Sequence, residues 1–382
     1  MEEMKIGIVC PYDYFRNGGV KEHVRSVAEE LRDRGHTVKI ITVPSPDREN
    51  PEPENVIQLG NAALINAPST SYELSASATP GEIDGMLDEE QFDIIHFHEP
   101  MVPVMSGQIL ARSNAINVAT FHAHRSEDLS TKTLDLIHMP YHRNRTKYIN
   151  YVTAVSEAAA VYLSKMEERD IHIVPNGIEL KKFKPDAVEL YEEFNDDVKT
   201  VLYVGRLEKR KGVEYLLRAF EVLREQNDDV RLVITGDGPK MRMLKTYVEQ
   251  HNVPDVHFLG FVSEEDKLKL LKTCDLFVSP ALYGESFGIV LLEAMAMGIP
   301  MIGGDNDGYV TVLKEKGLLS LVNPRHQDEF VRRMDLILHD AEISEQLVKW
   351  GFEYVKQFDY AKITDQYVEI YEKLLNEKES DT

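Results

Sequence analysis

The feature that most constrains this chain is a repeated alternation of short apolar runs with segments of helical periodicity. The runs lie at residues 6–10, 38–43, 94–97, 118–121, 152–154, 171–174, 201–204, 232–235, 256–259, 276–278 and 301–302. Between the first two, apolar residues from Val20 to Leu31 form one helical stripe, and Gly35 follows as a stop signal. Strands that alternate with helices form parallel sheets covered on both faces, so the pattern predicts an α/β protein.

A polar segment interrupts this series once. Residues 178–197 are rich in Lys, Glu, Asp and Pro, which is typical of a linker, and 382 residues suffice for two or three domains. We therefore predict two Rossmann-like domains, at 1–180 and 198–358, and a C-terminal helix at 360–376 that returns to the N-terminal domain. Open parallel sheets bind ligands at the carboxyl ends of their strands, so two facing sheets would place the ligand in a cleft.

Composition and charge argue against several classes of protein. The sequence has no run of about 18 apolar residues that could span a membrane, and its N-terminus is too acidic for a secretory signal. A net charge of −22 argues against nucleic-acid binding, which needs clustered Lys and Arg. Cys10 and Cys274 are interpreted as reduced core thiols. We expect a cytoplasmic protein, with at most peripheral contact at the inner face of the membrane.

A basic loop follows the first strand of the second half. It reads Gly205-Arg206-Leu-Glu-Lys-Arg-Lys211-Gly212 and leads into a helix. Helix N-termini favour anions, the Arg fork matches a phosphate, and Lys adds a mobile charge. The loop is typical of a diphosphate site, although a solvated basic turn would have the same composition.

A second motif, Tyr283-Gly284-Glu285-Ser286-Phe287-Gly288-Ile289 with Glu293 further on, follows the strand at 276–278. Glu285 lies near a helix start, where the dipole favours a carboxylate. Glu293 lies in an otherwise apolar helix, where an unpaired carboxylate is costly, so it needs a dedicated partner. That partner is either a pair of sugar or ribose hydroxyls or an internal cation.

Together these motifs resemble the retaining glycosyltransferases of the GT-B fold that share a Glu-x7-Glu signature, and within them the phosphatidylinositol mannosyltransferase group. The resemblance spans about 350 residues. It also rests on Gly18-Gly19-Val20, His96-Phe-His98-Glu99-Pro100, Thr120-Phe121-His122, Pro175-Asn176-Gly177-Ile178, Gly236-Asp237-Gly238-Pro239 and Leu259-Gly260-Phe261-Val262. It implies two Rossmann-like domains facing across a cleft.

The resemblance also implies a role for individual residues. Catalytic residues would be His122, Arg206, Lys211 and Glu285. The donor sugar nucleotide would contact Gly18, Gly19, Arg206, Lys211, Gly236, Phe261, Val262, Glu285, Phe287, Gly288, Ile289 and Glu293. Among these, Arg206 and Lys211 would hold the diphosphate and Glu293 the ribose. The acceptor side would include Tyr12, Lys21, Asn66 and Ser130.

The implied reaction moves a hexose, mannose or glucose, from a nucleotide diphosphate sugar such as GDP-mannose or UDP-glucose to a hydroxyl acceptor, with retention. It needs no metal and no other cofactor. The acceptor is a lipid such as phosphatidylinositol or, alternatively, a soluble sugar or sugar phosphate. A nucleotide-sugar epimerase and a non-catalytic sugar-nucleotide-binding protein are the alternatives from other classes.

Two patterns could instead indicate a metal. His96, His98, His122 and His124 could bind zinc, since alternate residues of a strand point to one side. Asp305-Asn306-Asp307 resembles an Asp-x-Asp metal motif, but it follows a strand and is interpreted as a turn.

Charge separates the chain from the mannosyltransferases that it resembles. Residues 49–111 contain 11 acidic residues and no Lys or Arg, whereas the group has a basic helix there that is thought to dock on anionic lipid. A smaller basic patch, Arg143, Arg145 and Lys147, lies nearby and could give weak membrane contact. The acidic stretch counts against phosphatidylinositol as the acceptor.

Overall fold

The computed structural model describes residues 2–16, 18–45, 54–67, 70–102, 105–123, 145–164, 167 and 169–380, with only the backbone described for 62–77 and Tyr162. The chain divides into two compact units. The first consists of Met1–Gly177 together with Tyr360–Thr382, and the second of Ile178–Asp359. No helix in the described part of the chain is both long enough and apolar enough to span a membrane.

Within the described residues, the first unit contains a seven-stranded parallel sheet in the order β3-β2-β1-β6-β7-β8-β9 and a separate antiparallel hairpin, β4-β5. The strands are β1 (Lys5–Val9), β2 (Thr37–Thr42), β3 (Val56–Gln58), β4 (Asn61–Ala67), β5 (Thr70–Ser77), β6 (Ile94–His98), β7 (Ile116–Phe121), β8 (Tyr151–Ala154) and β9 (His172–Ile173). The helices are α1 (Gly19–Asp33), α2 (Pro80–Glu90), α3 (Met105–Leu110) and α4 (Glu157–Leu163).

The C-terminal helix belongs to the core of this first unit. Tyr360, Ile363, Tyr367 and Tyr371 are buried among residues of β1 and α1. Burial of large aromatic rings contributes strongly to packing, which explains why the chain returns here after it has formed the second unit.

The second unit contains, in its described residues, a six-stranded parallel sheet in the order β12-β11-β10-β13-β14-β15. The strands are β10 (Lys199–Val204), β11 (Val230–Thr235), β12 (Val256–Gly260), β13 (Leu276–Ser279), β14 (Met301–Gly304) and β15 (Leu321–Val322). The α-helices are α5 (Val213–Gln226), α6 (Met241–His251), α7 (Glu264–Thr273), α8 (Ile289–Ala296), α9 (Asp307–Val312), α10 (Gln327–His339) and α11 (Ala341–Tyr354), and the first unit's C-terminal helix is α12 (Tyr360–Ser380). Short 3-10 helices lie at Leu180–Lys182, Pro185–Ala187, Glu192–Phe194, Lys209–Lys211, Glu315–Ser320 and Val355–Phe358.

The segment interpreted as a linker is part of the second unit. Ile178 and Phe194 are buried in its core, and the backbone N–H of Ile178 donates to the carbonyl of Phe358 at 2.8 Å. Polar composition suggested a linker because these two apolar anchors are widely spaced among charged residues that lie at the surface.

In each sheet the strand order reverses beside the strand that comes first in the sequence. The sequence motifs follow the strands on either side of this reversal. In the first unit the reversal lies between β1 and β6, and in the second between β10 and β13. At this point the connections that follow two adjacent strands run in opposite directions, which leaves a crevice at the carboxyl ends of the strands. Ligands of α/β proteins bind in this crevice. The Arg206 loop follows β10 and the Glu285 loop follows β13, so the topology brings the two motifs of the second unit together.

Candidate active site

Five charged side chains from the loops after β10 and β13 form a continuous set of ion pairs, here called the ion network. Its members are Arg206, Glu208, Arg210, Lys211 and Glu285. Arg206 pairs with Glu208 at 3.0 Å, and the other oxygen of Glu208 accepts from Arg210 at 2.9 Å. Arg206 is 59% exposed, whereas Glu208 is 10% exposed. The network therefore has a buried acidic centre and an outer guanidinium open to a ligand.

Glu285 is the point at which two cations of the ion network converge. One of its carboxylate oxygens lies 2.6 Å from Nη1 of Arg210 and 2.8 Å from Nζ of Lys211. Burial would lower the pKa of Arg210, but the charges of Glu285 and Glu208 outweigh it and raise that pKa. The structure thus brings together Lys211 and Glu285, which the sequence analysis assigned to one site, as an ion pair.

Two glycines allow these loops to approach each other. Gly212 has φ +69°, and a side chain there would clash with the carbonyl oxygen of Pro280. Gly236 has φ +106°, and a side chain there would clash with the carbonyl oxygen of Gly205. Left-handed backbone and close approach both favour glycine, so Gly236 serves the packing of the Arg206 loop.

Glu293 lies in α8 and pairs with a lysine of α7. Its Oε1 is 3.1 Å from Nζ of Lys267, and the two side chains are 15% and 13% exposed. Burial would lower the pKa of Lys267, but Glu293 and Glu264 outweigh it and raise that pKa. An internal cation therefore satisfies Glu293 in this structure, which is one of the two partners that the sequence analysis left open.

The remaining donor-side residues differ in accessibility. Phe261, after β12, is 84% exposed, whereas Phe287 is buried in the core of the second unit. Phe287 and Gly288 can offer a ligand only their backbone, at the start of α8, and Ile289 and Val262 are half-buried.

Asn306 confirms the turn interpretation of Asp305-Asn306-Asp307. Its Oδ1 accepts from the backbone N–H of Tyr309 at 3.1 Å and caps α9, while its amide donates to the carbonyls of Ala281 and Gly304. All of these contacts are within the fold, and each satisfies a group that the turn would otherwise leave unpaired.

In the first unit, the structure places some of the predicted residues and not others. Gly18 and Gly19 begin α1, where free backbone N–H groups favour an anion. Tyr12 lies in the loop after β1, and Lys21 lies in the first turn of α1. The Asn66 side chain, Ser130, His124 and Arg143 lie outside what the structure describes.

The residues of the predicted basic patch that are described differ in their surroundings. Arg145 donates to the carbonyl of Gly107, whereas Lys147 is exposed and lies 4.8 Å from the ring centroid of Tyr148. Arg145 is therefore partly used within the fold.

A buried cluster of neutral polar groups, here called the histidine network, lies at the carboxyl ends of β6 and β7. Its members are His23, His96, His98, His122, Thr120, Thr153, Tyr367 and Tyr371. Nδ1 of His98 lies 2.8 Å from Nε2 of His122, and the ring of His98 lies against that of His96 with centroids 4.4 Å apart. His122, the predicted catalytic residue, is thus held by a ring from the neighbouring strand.

Burial keeps these histidines uncharged. It lowers the pKa of His96 and of His122 to about 3, and it lowers those of His23 and His98 well below their usual range. For His122 the Asn176 side chain opposes the effect without reversing it. His122 is therefore neutral near pH 7, so it can exchange hydrogen bonds with a ligand but cannot supply positive charge.

Glu99 fixes the backbone on which His122 lies. Its Oε1 accepts from the backbone N–H groups of His122 and Ala123, each at 2.6 Å, and its own backbone has φ +50°. A non-glycine residue in this conformation marks a constrained turn, and here the turn aims a carboxylate at the end of β7.

Three histidines could together bind a metal cation. Ring nitrogens of His23, His98 and His122 lie within 4.8 Å of one another, and neutral imidazoles are suitable ligands. The direct hydrogen bond between His98 and His122 occupies one nitrogen of each ring. His96 uses both nitrogens in hydrogen bonds with Thr120 and Tyr371, so it does not fit the predicted zinc set.

Several residues of these clusters escaped the sequence analysis. Arg210 and Glu208 are close in sequence to predicted residues, but the sequence does not show which of the cations in this loop pairs with Glu285. His23 was hidden in the apolar stripe of α1, where a polar residue on the buried face was an available signal. Lys267 looks like any lysine of an exposed helix, because its partner is 26 residues away in sequence.

Two family models match the chain. Residues 17–182 match the model described as Glycosyltransferase Family 4, and residues 191–354 match the model Glycosyl transferases group 1. The chain is 32% identical over 375 residues to the phosphatidyl-myo-inositol mannosyltransferase of Mycobacterium leprae (strain TN), covering 97% of this chain and 96% of that protein. This identity over nearly the full length of both chains shows a common family.

Solved structures share the fold. A glycosyltransferase from Rickettsia africae ESF-5 superposes with a TM-score of 0.77 at 20% identity, covering 98% of this chain and 99% of the other. Anabaena Alr3699/HepE in complex with UDP and glucose superposes with a TM-score of 0.73 at 17% identity, covering 96% and 99%. The predicted GT-B architecture and enzyme class are confirmed: the chain belongs to the glycosyltransferase family that includes the phosphatidyl-myo-inositol mannosyltransferases.

Proposed function

We propose that this glycosyltransferase moves a hexose from a nucleotide diphosphate sugar to a hydroxyl acceptor with retention of configuration at the anomeric carbon. The observation that carries the proposal is the ion network, in which Arg206 is largely exposed and Lys211 pairs with Glu285. Cations fixed in place by buried carboxylates are suited to stabilise the charge that develops on a departing diphosphate.

The arrangement of Glu285 supports a reaction on one face of the sugar. Both Arg210 and Lys211 hold its carboxylate, so it is poorly placed to attack the anomeric carbon as a nucleophile. In the proposed step the bond from the anomeric carbon to the diphosphate breaks while the acceptor oxygen bonds to that carbon from the same face. The acceptor proton passes to an oxygen of the leaving diphosphate.

The proposed reaction uses no metal. Side-chain cations of the ion network and the N–H groups at the start of α8 would meet the phosphates, and Asn306 of the Asp305-Asn306-Asp307 turn is engaged in capping contacts. We expect transfer to continue in EDTA. Loss of activity in EDTA that manganese or magnesium restores would contradict this part of the proposal.

The donor sugar is proposed to be mannose or glucose. The mannosyltransferase relative favours mannose, and the UDP and glucose in the Anabaena structure favour glucose. Thermal shift with GDP-mannose, UDP-glucose and the free nucleotides tests the choice, because a ligand of the folded state raises Tm by mass action. Stabilisation by none of these compounds would contradict the proposed donor class.

The acceptor is proposed to be a lipid hydroxyl, as in phosphatidylinositol, because of the mannosyltransferase relative. One observation favours the second candidate, a soluble sugar or sugar phosphate. Helix α2 carries five acidic residues and no basic ones, and Glu90 at its end pairs with Lys5 and Lys39 instead of leaving those cations for a membrane.

Transfer assays with each acceptor separate the two candidates. A radiolabelled hexose should enter the organic phase with phosphatidylinositol vesicles, or remain in the aqueous phase with a soluble sugar phosphate. Co-sedimentation with anionic vesicles should be weak at physiological salt, since screening acts over about 8 Å. Lys147→Glu should weaken it further, and tight binding unaffected by this change would show that the membrane surface lies elsewhere.

A further inference from the structure

The hydrogen bonds of the histidine network constrain where the protons around His96 and His98 lie. The carbonyl of Ala119 can only accept and lies 3.2 Å from the hydroxyl of Thr153; with the Thr153 proton directed to it, Thr153 accepts at the 2.6 Å contact with Thr120. Thr120 has then used its proton and must accept from Nε2–H of His96 at 2.6 Å. Nδ1 of His96 is left bare and accepts from the hydroxyl of Tyr371 at 2.7 Å.

This chain of donors leaves His98 with one partner. Both nitrogens of His96 are engaged, so although its ring packs on His98 it offers no hydrogen bond. His98 is fully buried, and among the described residues its Nε2 has no hydrogen-bond partner. Its Nδ1, 2.8 Å from Nε2 of His122, makes the contact that determines how the ring is placed.

The direction of that contact follows from the cost of burying an unpaired group. If His122 donated, the proton of the neutral His98 ring would have to lie on Nε2, as a buried N–H donor without an acceptor. If His98 donates through Nδ1, its Nε2 is a bare acceptor instead. Buried N–H donors without a partner are the rarer of the two in folded proteins, so the second arrangement is favoured.

We propose that His98 is a positioning residue that donates through Nδ1 to Nε2 of His122 and so fixes the ring of His122 as its Nδ1–H tautomer. The inference rests on the proposed function and adds to it the role that the family resemblance implies for His122, which is contact with the transferred sugar. A fixed tautomer, with the Asn176 side chain also acting on the ring, would keep His122 in one orientation toward that sugar, which is how a neutral ring contributes to a reaction. The ring of His96, which packs on that of His98, would hold it in place without touching the substrate.

Ring nitrogen shifts of ¹⁵N-histidine-labelled protein test the tautomers directly. In the unaltered protein we expect His122 as the neutral Nδ1–H form and His96 as the neutral Nε2–H form. His98→Ala should remove the preference at His122, and His98→Asn should retain it, since the amide N–H of asparagine can lie close to the position of Nδ1. A fixed Nε2–H form of His122 in the unaltered protein would overturn the proposal.

Kinetics provide the second readout. We expect His98→Ala to lower kcat about 10-fold or more while the donor KM changes little, because the ring is misplaced and the donor-side contacts are intact. His98→Asn should recover most of kcat. The His98→Ala rate should also acquire a new dependence on pH near 6, since water that enters beside His122 would make its protonation easier.

Tyr371→Phe is the matched control, because it removes one hydroxyl from the same buried network without contact to His122. It should lower Tm yet leave the His122 tautomer and kcat near those of the unaltered protein.

Equal kcat in all three variants, or equal losses in His98→Asn and His98→Ala, would overturn the positioning role. Should His98→Ala fail to fold, the tautomers of the unaltered protein and of His98→Asn still decide. A protein inert toward every nucleotide sugar would overturn the proposed function instead, because the tautomer measurement needs no substrate.

Discussion

The histidine network of the first unit and the ion network of the second unit both lie at the carboxyl ends of central strands, yet they treat charge in opposite ways. The histidines are buried and neutral, and His96 forms hydrogen bonds with the hydroxyl groups of Thr120 and Tyr371. The ion network consists of charged side chains in pairs, since each cation has a carboxylate within 3.0 Å, and Arg206 reaches solvent.

The difference shows two ways to preorganise a site. Neutral groups can be buried deeply without ion pairing, because an uncharged ring loses far less solvation than an ion does. Such neutral groups can orient a ligand, but they cannot supply charge to it. Paired ions can remain charged near a ligand, where they can exchange a carboxylate for a phosphate. The first unit is thus suited to orient a reacting group, and the second to stabilise a leaving group.

The largest effect that this comparison predicts is on turnover. Arg206→Ala and Lys211→Ala should each lower kcat by about 100-fold or more, because they remove charge that acts on the departing diphosphate in the transition state. Lys209→Ala removes an exposed cation from the same loop and should leave kcat nearly unchanged. Steady-state kinetics measure all three, and near-normal turnover in both site variants would contradict the role of the ion network.

The second prediction concerns acid stability and the histidine network. Because burial lowers the pKa of its four histidines, the unfolded chain binds more protons than the native chain below about pH 6.5. Stability should therefore fall as pH drops from about 6.5 towards 3, by up to about 1.4 kcal/mol per pH unit for each such histidine.

Urea unfolding at a series of pH values measures this slope. His23→Asn should make the slope shallower, whereas His326→Asn, which alters an exposed histidine, should leave it unchanged. Stability that is constant between pH 7 and 5 would show that the histidines are protonated in the folded state.

A smaller effect is expected at the Lys267–Glu293 pair, which tests whether the charges of the second unit depend on their partners. Lys267→Met removes the cation beside a largely buried carboxylate and should cost about 1–3 kcal/mol of unfolding free energy. Lys269→Met, two residues away on α7, alters pairs with Glu265 and Glu189, whose side chains are 77% and 86% exposed, and should change Tm far less. Equal Tm values for the two variants would contradict a structural role for Lys267.

The smallest predicted effect is on donor affinity at Phe261. This ring is 84% exposed and is one of the residues that the resemblance assigns to the donor, and we propose that it contacts the nucleobase. Phe261→Ala should raise the donor KM about 5- to 10-fold, equivalent to about 1 kcal/mol, without changing kcat, and Phe261→Trp should preserve KM. Unchanged KM in the alanine variant would place the base elsewhere.

Periodicity predicted most of the fold. Each of the 11 predicted apolar runs overlaps an observed strand, because strands covered on both faces need continuous apolar sequence. Four strands were not predicted. Of these, β3 and β15 are short strands at the edge of their sheets, and β4 and β5 form the separate hairpin. Their residues do not need that continuity, so they leave no comparable pattern.

Sequence by itself therefore determined the α/β rhythm, the family, and the loops in which Arg206, Lys211, Glu285 and His122 lie, since these depend on residue types at short spacing. Tertiary structure alone decided the partners. Arg210 meets Glu285 across 75 residues, Lys267 meets Glu293 across 26, and Tyr371 meets His96 across 275. Ion pairs and tautomers depend on which atoms come within about 3 Å and how far they are removed from water, and the order of residues does not specify either until the sheets have formed.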